Sequence, residues 1–98
     1  MQDRIWALKT RAKELEVLAQ ETVRAYKNRG GDEHSCSMDY IQMRQIAGII
    51  EYSRMSLLND LENSAISEET LDYYETGFSE LEPKVKGLAN RIREELAQ

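Results

Sequence analysis

The sequence predicts an all-α protein: an antiparallel three-helix bundle, or a long helical hairpin plus a third helix, connected up-down-up. Three observations lead there. Helix formers carrying apolar residues at spacings of three and four continue almost unbroken to Pro83, the chain's one proline. Two short connections, near 30–37 and 64–67, divide that pattern into three. No segment shows the period-two alternation of a half-buried strand. Short connections place consecutive helices side by side and antiparallel. A chain of 98 residues suits a single helical domain over 1–98, with helices at about 2–28, 38–63 and 68–97.

The first helix sets Ile5, Leu8, Ala12, Leu15, Leu18, Ala19, Ala25 and Tyr26 on one stripe at about 100° per residue. Arg24, Lys27 and Arg29 follow near its end, where cations favour the negative pole of the helix dipole. Gly30-Gly31 supplies the left-handed conformation that ends helices. Ser37 is the expected N-cap of the second helix, with Asp39 in its first turn and Cys36 and Ile41 at staple spacing. The third helix is the best signalled. Ser67 caps it, Glu68 and Glu69 occupy the first turn, and Ile66 can staple onto Leu71. Its apolar residues Leu71, Tyr74, Phe78, Leu81, Val85, Leu88 and Ile92 follow a 3-4 heptad rhythm. The rhythm keeps its phase across Pro83, which predicts a kinked but continuing helix; a break at Gly77 with a fresh start at Pro83 is the alternative. Leu15, Ile50, Leu57, Leu81 and Leu88 are the expected deepest core residues.

The second helix carries two apolar faces. Met43, Ile46, Ala47, Ile50, Leu57, Leu58 and Leu61 form an ordinary core face. Roughly opposite lie Met38, Ile41, Gly48, Tyr52 and Met55, with Gln45 among them, again in heptad rhythm. Such a helix is either sandwiched between helices one and three or buried against a second chain. Helices of this length span roughly 38 Å, long for three helices alone, which weighs toward assembly. Gly48 sits mid-helix at a cost of about 1 kcal/mol relative to alanine and would let another backbone approach. On the first helix, Trp6 and Val17 lie nearly opposite the core stripe beside Thr10, Lys13 and Arg24, a cation-flanked aromatic of the kind that anchors partners.

Composition narrows the function classes. The net charge of −5, from 18 acids and 13 bases, argues against a DNA-binding domain. Between Arg54 and Lys84 stand Asp60, Glu62, Glu68, Glu69, Asp72, Glu75, Glu80 and Glu82 with no base, while the first 29 residues hold Arg4, Lys9, Arg11, Lys13, Arg24, Lys27 and Arg29. The acidic stretch reads as a solvated surface, or as a face that meets a basic partner or the first helix of a second copy. No apolar run approaches the roughly 20 residues that span a bilayer, and the charged first twenty residues do not read as a signal peptide. One cysteine fits a cytoplasmic chain. Asp32, Glu33, His34 and Cys36 match no zinc spacing, and no phosphate-cradling loop, nucleophile elbow or di-iron pair is present. No cofactor and no metal are expected.

In size and composition the chain looks like the small acidic helical accessory proteins of bacteria and their phages, among them immunity proteins, antitoxins, inhibitors and secretion chaperones, with no shared motif. The absence of catalytic groups together with the surplus apolar seams makes the expected function a non-enzymatic protein–protein interaction module, a small acidic inhibitor, antitoxin or adaptor type of protein acting as a homo-oligomer. The expected interface is Met38, Ile41, Gly48, Tyr52 and Met55, and the expected binding residues are Trp6, Lys9, Lys13, Val17 and Arg24. The alternative is an oligomer that holds a small anion or nucleotide between chains.

Overall fold

The computed structural model describes residues 2–29, 37–63 and 66–98. The expected stop at Gly30-Gly31, the loop cluster Asp32, Glu33, His34 and Cys36, and the staple of Cys36 onto Ile41 lie outside the described residues. The described chain is three helices: α1 (Gln2–Asn28), α2 (Met38–Asn63) and α3 (Glu68–Ala97). Each packs against the other two in a bundle with extents of 47 × 21 × 16 Å.

Caps set the starts. The Ser37 hydroxyl accepts from the Tyr40 amide at 3.2 Å, and the Ser37 carbonyl takes the Ile41 amide at 3.1 Å, the first rung of α2. Ser67, in extended backbone, accepts from the Thr70 amide at 3.2 Å, with Glu68 and Glu69 in the first turn. The α3 helix continues through Pro83, which lies on its exposed side. There the missing N–H removes a rung facing water rather than one facing the core.

Cross-helix contacts fix the directions. Arg4 pairs with Glu75 and Arg11 with Glu82, both at a separation of 71 residues, so α1 and α3 run parallel in constant register. Arg91 of α3 reaches Asp39 near the start of α2, and Tyr74 reaches Asp60 near its end, so α2 and α3 are antiparallel. The connection is up-down-up.

With the addition of Ala89, the core is drawn from the set the helical periods select: Leu8, Ala12, Leu15 and Ala19 from α1; Met43, Ile50 and Leu57 from α2; Leu71, Tyr74, Phe78, Val85, Leu88, Ala89 and Ile92 from α3. Two expectations are corrected. Leu81 is half-buried, because it stands at the edge of the α3 stripe and lines an open groove against α2. Ala25 is exposed, because it lies at the margin of the α1 stripe in the last turn. Four buried residues fall outside the apolar stripes as read from the sequence: Ala89, next to Leu88 in the α3 core, and Tyr40, Thr22 and Glu16. Tyr40 stacks on Tyr26 with ring centroids 4.2 Å apart, and the Tyr26 hydroxyl accepts from the Ser37 amide at 3.2 Å, so an aromatic pair clasps the end of α1 to the start of α2. Thr22 turns its hydroxyl back to the Leu18 carbonyl at 2.7 Å. Glu16 is buried with its carboxylate held by Arg54 of α2 and by Gln20.

Candidate functional site

The outer face of α2 is uncovered. Met38 is 67%, Tyr52 76%, Met55 58% and Ile41 38% exposed, and Gly48 and Gln45 lie open beside them. The face is not sandwiched between α1 and α3, because those helices flank α2 on the sides of its core stripe: α1 through Glu16–Arg54 and Tyr26–Tyr40, α3 through Tyr74–Asp60 and Arg91–Asp39. A Cβ placed on Gly48 would meet nothing within 4 Å, so the glycine is not required by packing inside the chain.

On its α3 side the face runs into a groove of about 530 Å³ lined by Tyr52, Ser56, Tyr73, Tyr74, Gly77 and Leu81, with Glu69 and Glu80 at the rim. Tyr73 is 75% exposed and meets Tyr74 edge-on at 5.5 Å. The Tyr74 hydroxyl sits between Ser56 at 2.8 Å and Asp60 at 2.7 Å. Burial pushes its ionisation above the usual tyrosine range; the Asp60 carboxylate adds to that and the Ser56 hydrogen bond opposes it. Tyr74 is thus a structural hydroxyl at the groove floor, while Tyr52 and Tyr73 face outward. Tyr73 and Ile49, the latter 51% exposed, extend the apolar surface beyond the residues picked out by the α2 rhythm.

On the α1 side a second groove, of about 410 Å³, brings Arg24, Lys27 and Arg44 together with Gly48, Glu51 and Gln20. Of the candidate binding residues on α1, Trp6, Lys9, Lys13 and Arg24 are exposed and Val17 is half-buried. They share one helix face but not one site: Trp6 and Arg24 are about 27 Å apart along α1, so no small ligand reaches both on one chain.

The acidic stretch is partly accounted for within the chain. Arg4 pairs with Asp72 and Glu75, and Arg11 and Lys86 pair with Glu82. The Arg4 guanidinium holds the Glu75 carboxyl below its usual range, and Arg11, aided by Lys86, does the same for Glu82. Part of the charge asymmetry seen in the sequence, Asp72, Glu75 and Glu82 against Arg4 and Arg11, is therefore an intramolecular α1–α3 contact, whereas Glu62, Glu68, Glu69 and Glu80 remain exposed.

Among the described residues no cluster of His, Cys, Asp and Glu is arranged to hold a metal ion, and no helix is long and apolar enough to cross a membrane. No protein-family model matches the chain, and neither a curated protein nor a solved structure matches it.

Proposed function

We propose that the chain is a non-enzymatic protein–protein interaction module of the inhibitor, antitoxin or adaptor kind, cytoplasmic and working as a homo-oligomer through the outer face of α2. The observation that supports this reading most is the heptad-spaced row Met38, Ile41, Tyr52 and Met55, left in water by the chain's own helices. A row of large apolar side chains on one helix face suits another helix.

Sedimentation and light scattering test the reading. The parent is expected to self-associate at micromolar concentration. Gly48→Leu, which fills the open space at the seam, and Ile41→Glu, which puts a charge on it, are expected to be monomeric with unchanged helical circular dichroism. A parent that stays monomeric at high micromolar concentration overturns the self-association.

A second reading has its own observation. Arg24, Lys27 and Arg44 converge on one groove, which suits a small anion or the phosphate of a nucleotide. A thermal shift with inorganic phosphate or nucleotides that disappears in Arg24→Ala would favour this reading.

A further inference from the structure

We propose that the occupant of the outer α2 face is α2 of a second copy, running antiparallel in the register that sets Arg44 of each chain opposite Glu51 of the other. The proposal rests on the self-association reading above and names its geometry.

The flanks of the seam decide between arrangements. With Met38, Gln45 and Tyr52 as one set of seam positions and Ile41, Gly48 and Met55 as the other, Arg44 and Glu51 lie one heptad apart on the α1 side of the seam. Gln42, Ile49 and Ser56 occupy the α3 side. Arg44 and Glu51 are both exposed and form no ion pair among the described residues, although Arg4, Arg11, Arg54, Lys86 and Arg91 are all paired within the chain. The Arg44 guanidinium rests 5.8 Å from the centre of the Tyr40 ring, which is itself stacked on Tyr26 and buried, so the cation is held at the seam edge.

In a parallel pair of helices the α1-side flank of one copy faces the α3-side flank of the other. Arg44 would then meet Ile49 and Glu51 would meet Ser56, which leaves both charges without partners. In an antiparallel pair like flanks face each other, and Arg44 meets Glu51 twice by the two-fold symmetry. The same register stacks Met38 against Met55 and Ile41 against Tyr52, and it lays the long Gln45 side chain over the bare backbone of Gly48, where no atom of the home chain lies within 4 Å of a built Cβ. On the α3 side it sets Gln42 beside Ile49, covering an isoleucine that is 51% exposed in the single chain. One arrangement thus accounts for the seam, the mid-helix glycine and both flanking charges.

Charge reversal tests the register. Sedimentation equilibrium is run on the parent, Arg44→Glu, Glu51→Arg and the double variant, with circular dichroism as the folding control. Each single reversal sets like charges opposite each other twice and is expected to raise the dimer Kd about tenfold or more, and the double reversal is expected to restore it to near the parent value. Tyr52→Cys in a Cys36→Ser background adds an independent readout. The antiparallel axis passes near Ile46 and Ala47, so the two introduced thiols stand about 16 Å apart along the helices, beyond disulfide reach, and no cross-linked dimer is expected under mild oxidation. A dimeric parent whose single reversals are silent, or whose double reversal is no better than the singles, overturns the register while the interaction reading stands. Rapid cross-linking of Tyr52→Cys does the same, because it means a parallel pair. A monomeric parent removes both.

Discussion

Two helices of this bundle carry the same heptad rhythm and end in opposite environments. Along α3, Leu71, Tyr74, Phe78, Val85, Leu88 and Ile92 are buried; along α2, Met38, Ile41, Tyr52 and Met55 are exposed. Rhythm reports that a face suits another helix, but it does not report which chain supplies that helix. The flanks carry the missing information. The covered side of α3 is closed by Glu75 and Glu82, paired with Arg4 and Arg11 of α1. Beside the uncovered face of α2, Arg44 and Glu51 have no such partners among the described residues. The flanking charges of the α3 seam are matched within the chain, and the exposed α2 face, with complementary charges unmatched among the described residues, is the one the proposed pairing uses.

The strongest way to break this comparison is to cut side chains from each seam. Leu57→Ala and Phe78→Ala are expected to cost about 2–5 kcal/mol, since lost transfer energy and the residual cavity add. That is a large share of the roughly 5–15 kcal/mol available to a small domain. Tyr52→Ala and Met55→Ala, measured by urea unfolding in dilute solution where assembly contributes little, are expected to stay within about 0.5 kcal/mol of the parent. Equal costs on both faces would mean that α2 buries its second face within its own chain.

A middle-sized effect is expected at the α1–α2 contact. Glu16 is buried, with one carboxylate oxygen on Arg54 and the other accepting from Gln20 at 3.3 Å. Glu16→Ala leaves the half-buried Arg54 without its acceptor and is expected to cost about 1.5–3 kcal/mol, read as a lower urea midpoint. Arg54→Ala should cost a similar amount, and the double variant less than the sum, because each single change strands the other partner.

The smallest effect concerns the ion pairs that flank the covered seam. Glu75 and Glu82 have native carboxyl pKa values below the usual range, so the unfolded chain takes up protons more readily than the folded one. Their contribution is whole above about pH 4.3, the ordinary glutamate value, and is lost as pH falls through the lower native values. The urea midpoint should therefore drop across that acid window, and drop less in Arg4→Ala and Arg11→Ala. Added salt at neutral pH should weaken the same contribution, as expected for surface pairs.

The fold was largely legible in the sequence, because it rests on local signals. Ser37 and Ser67 cap their helices through their own hydroxyls, and the apolar stripes of all three helices lie in the expected phase. The less legible features depend on cross-helix geometry. Tyr40 looks like a polar-face tyrosine until Tyr26 is placed 4.2 Å away, and Glu16 looks like surface charge until Arg54 reaches it. Leu81 fits the heptad, yet the edge of a stripe is where a groove can open. The candidate surface was legible as composition: the second apolar row on α2 is visible in the spacing. Its environment was not, since exposure depends on where α1 and α3 pack. Nor was the sorting of charges, because spacing alone does not separate Arg4 and Arg11, consumed by α3, from Lys9 and Lys13, which are exposed on the outer side and form no ion pair among the described residues.

The placement of Trp6 makes the chain its own optical probe. It is the single tryptophan and is 69% exposed near the start of α1. An indole already bathed in water emits at long wavelength in the native state, so unfolding shifts its fluorescence little and the signal follows stability poorly. That same insensitivity leaves a quiet baseline. Any molecule that settles on the outer face of α1 moves the indole out of water and shifts the emission to the blue, while pairing through the other helix leaves the colour unchanged.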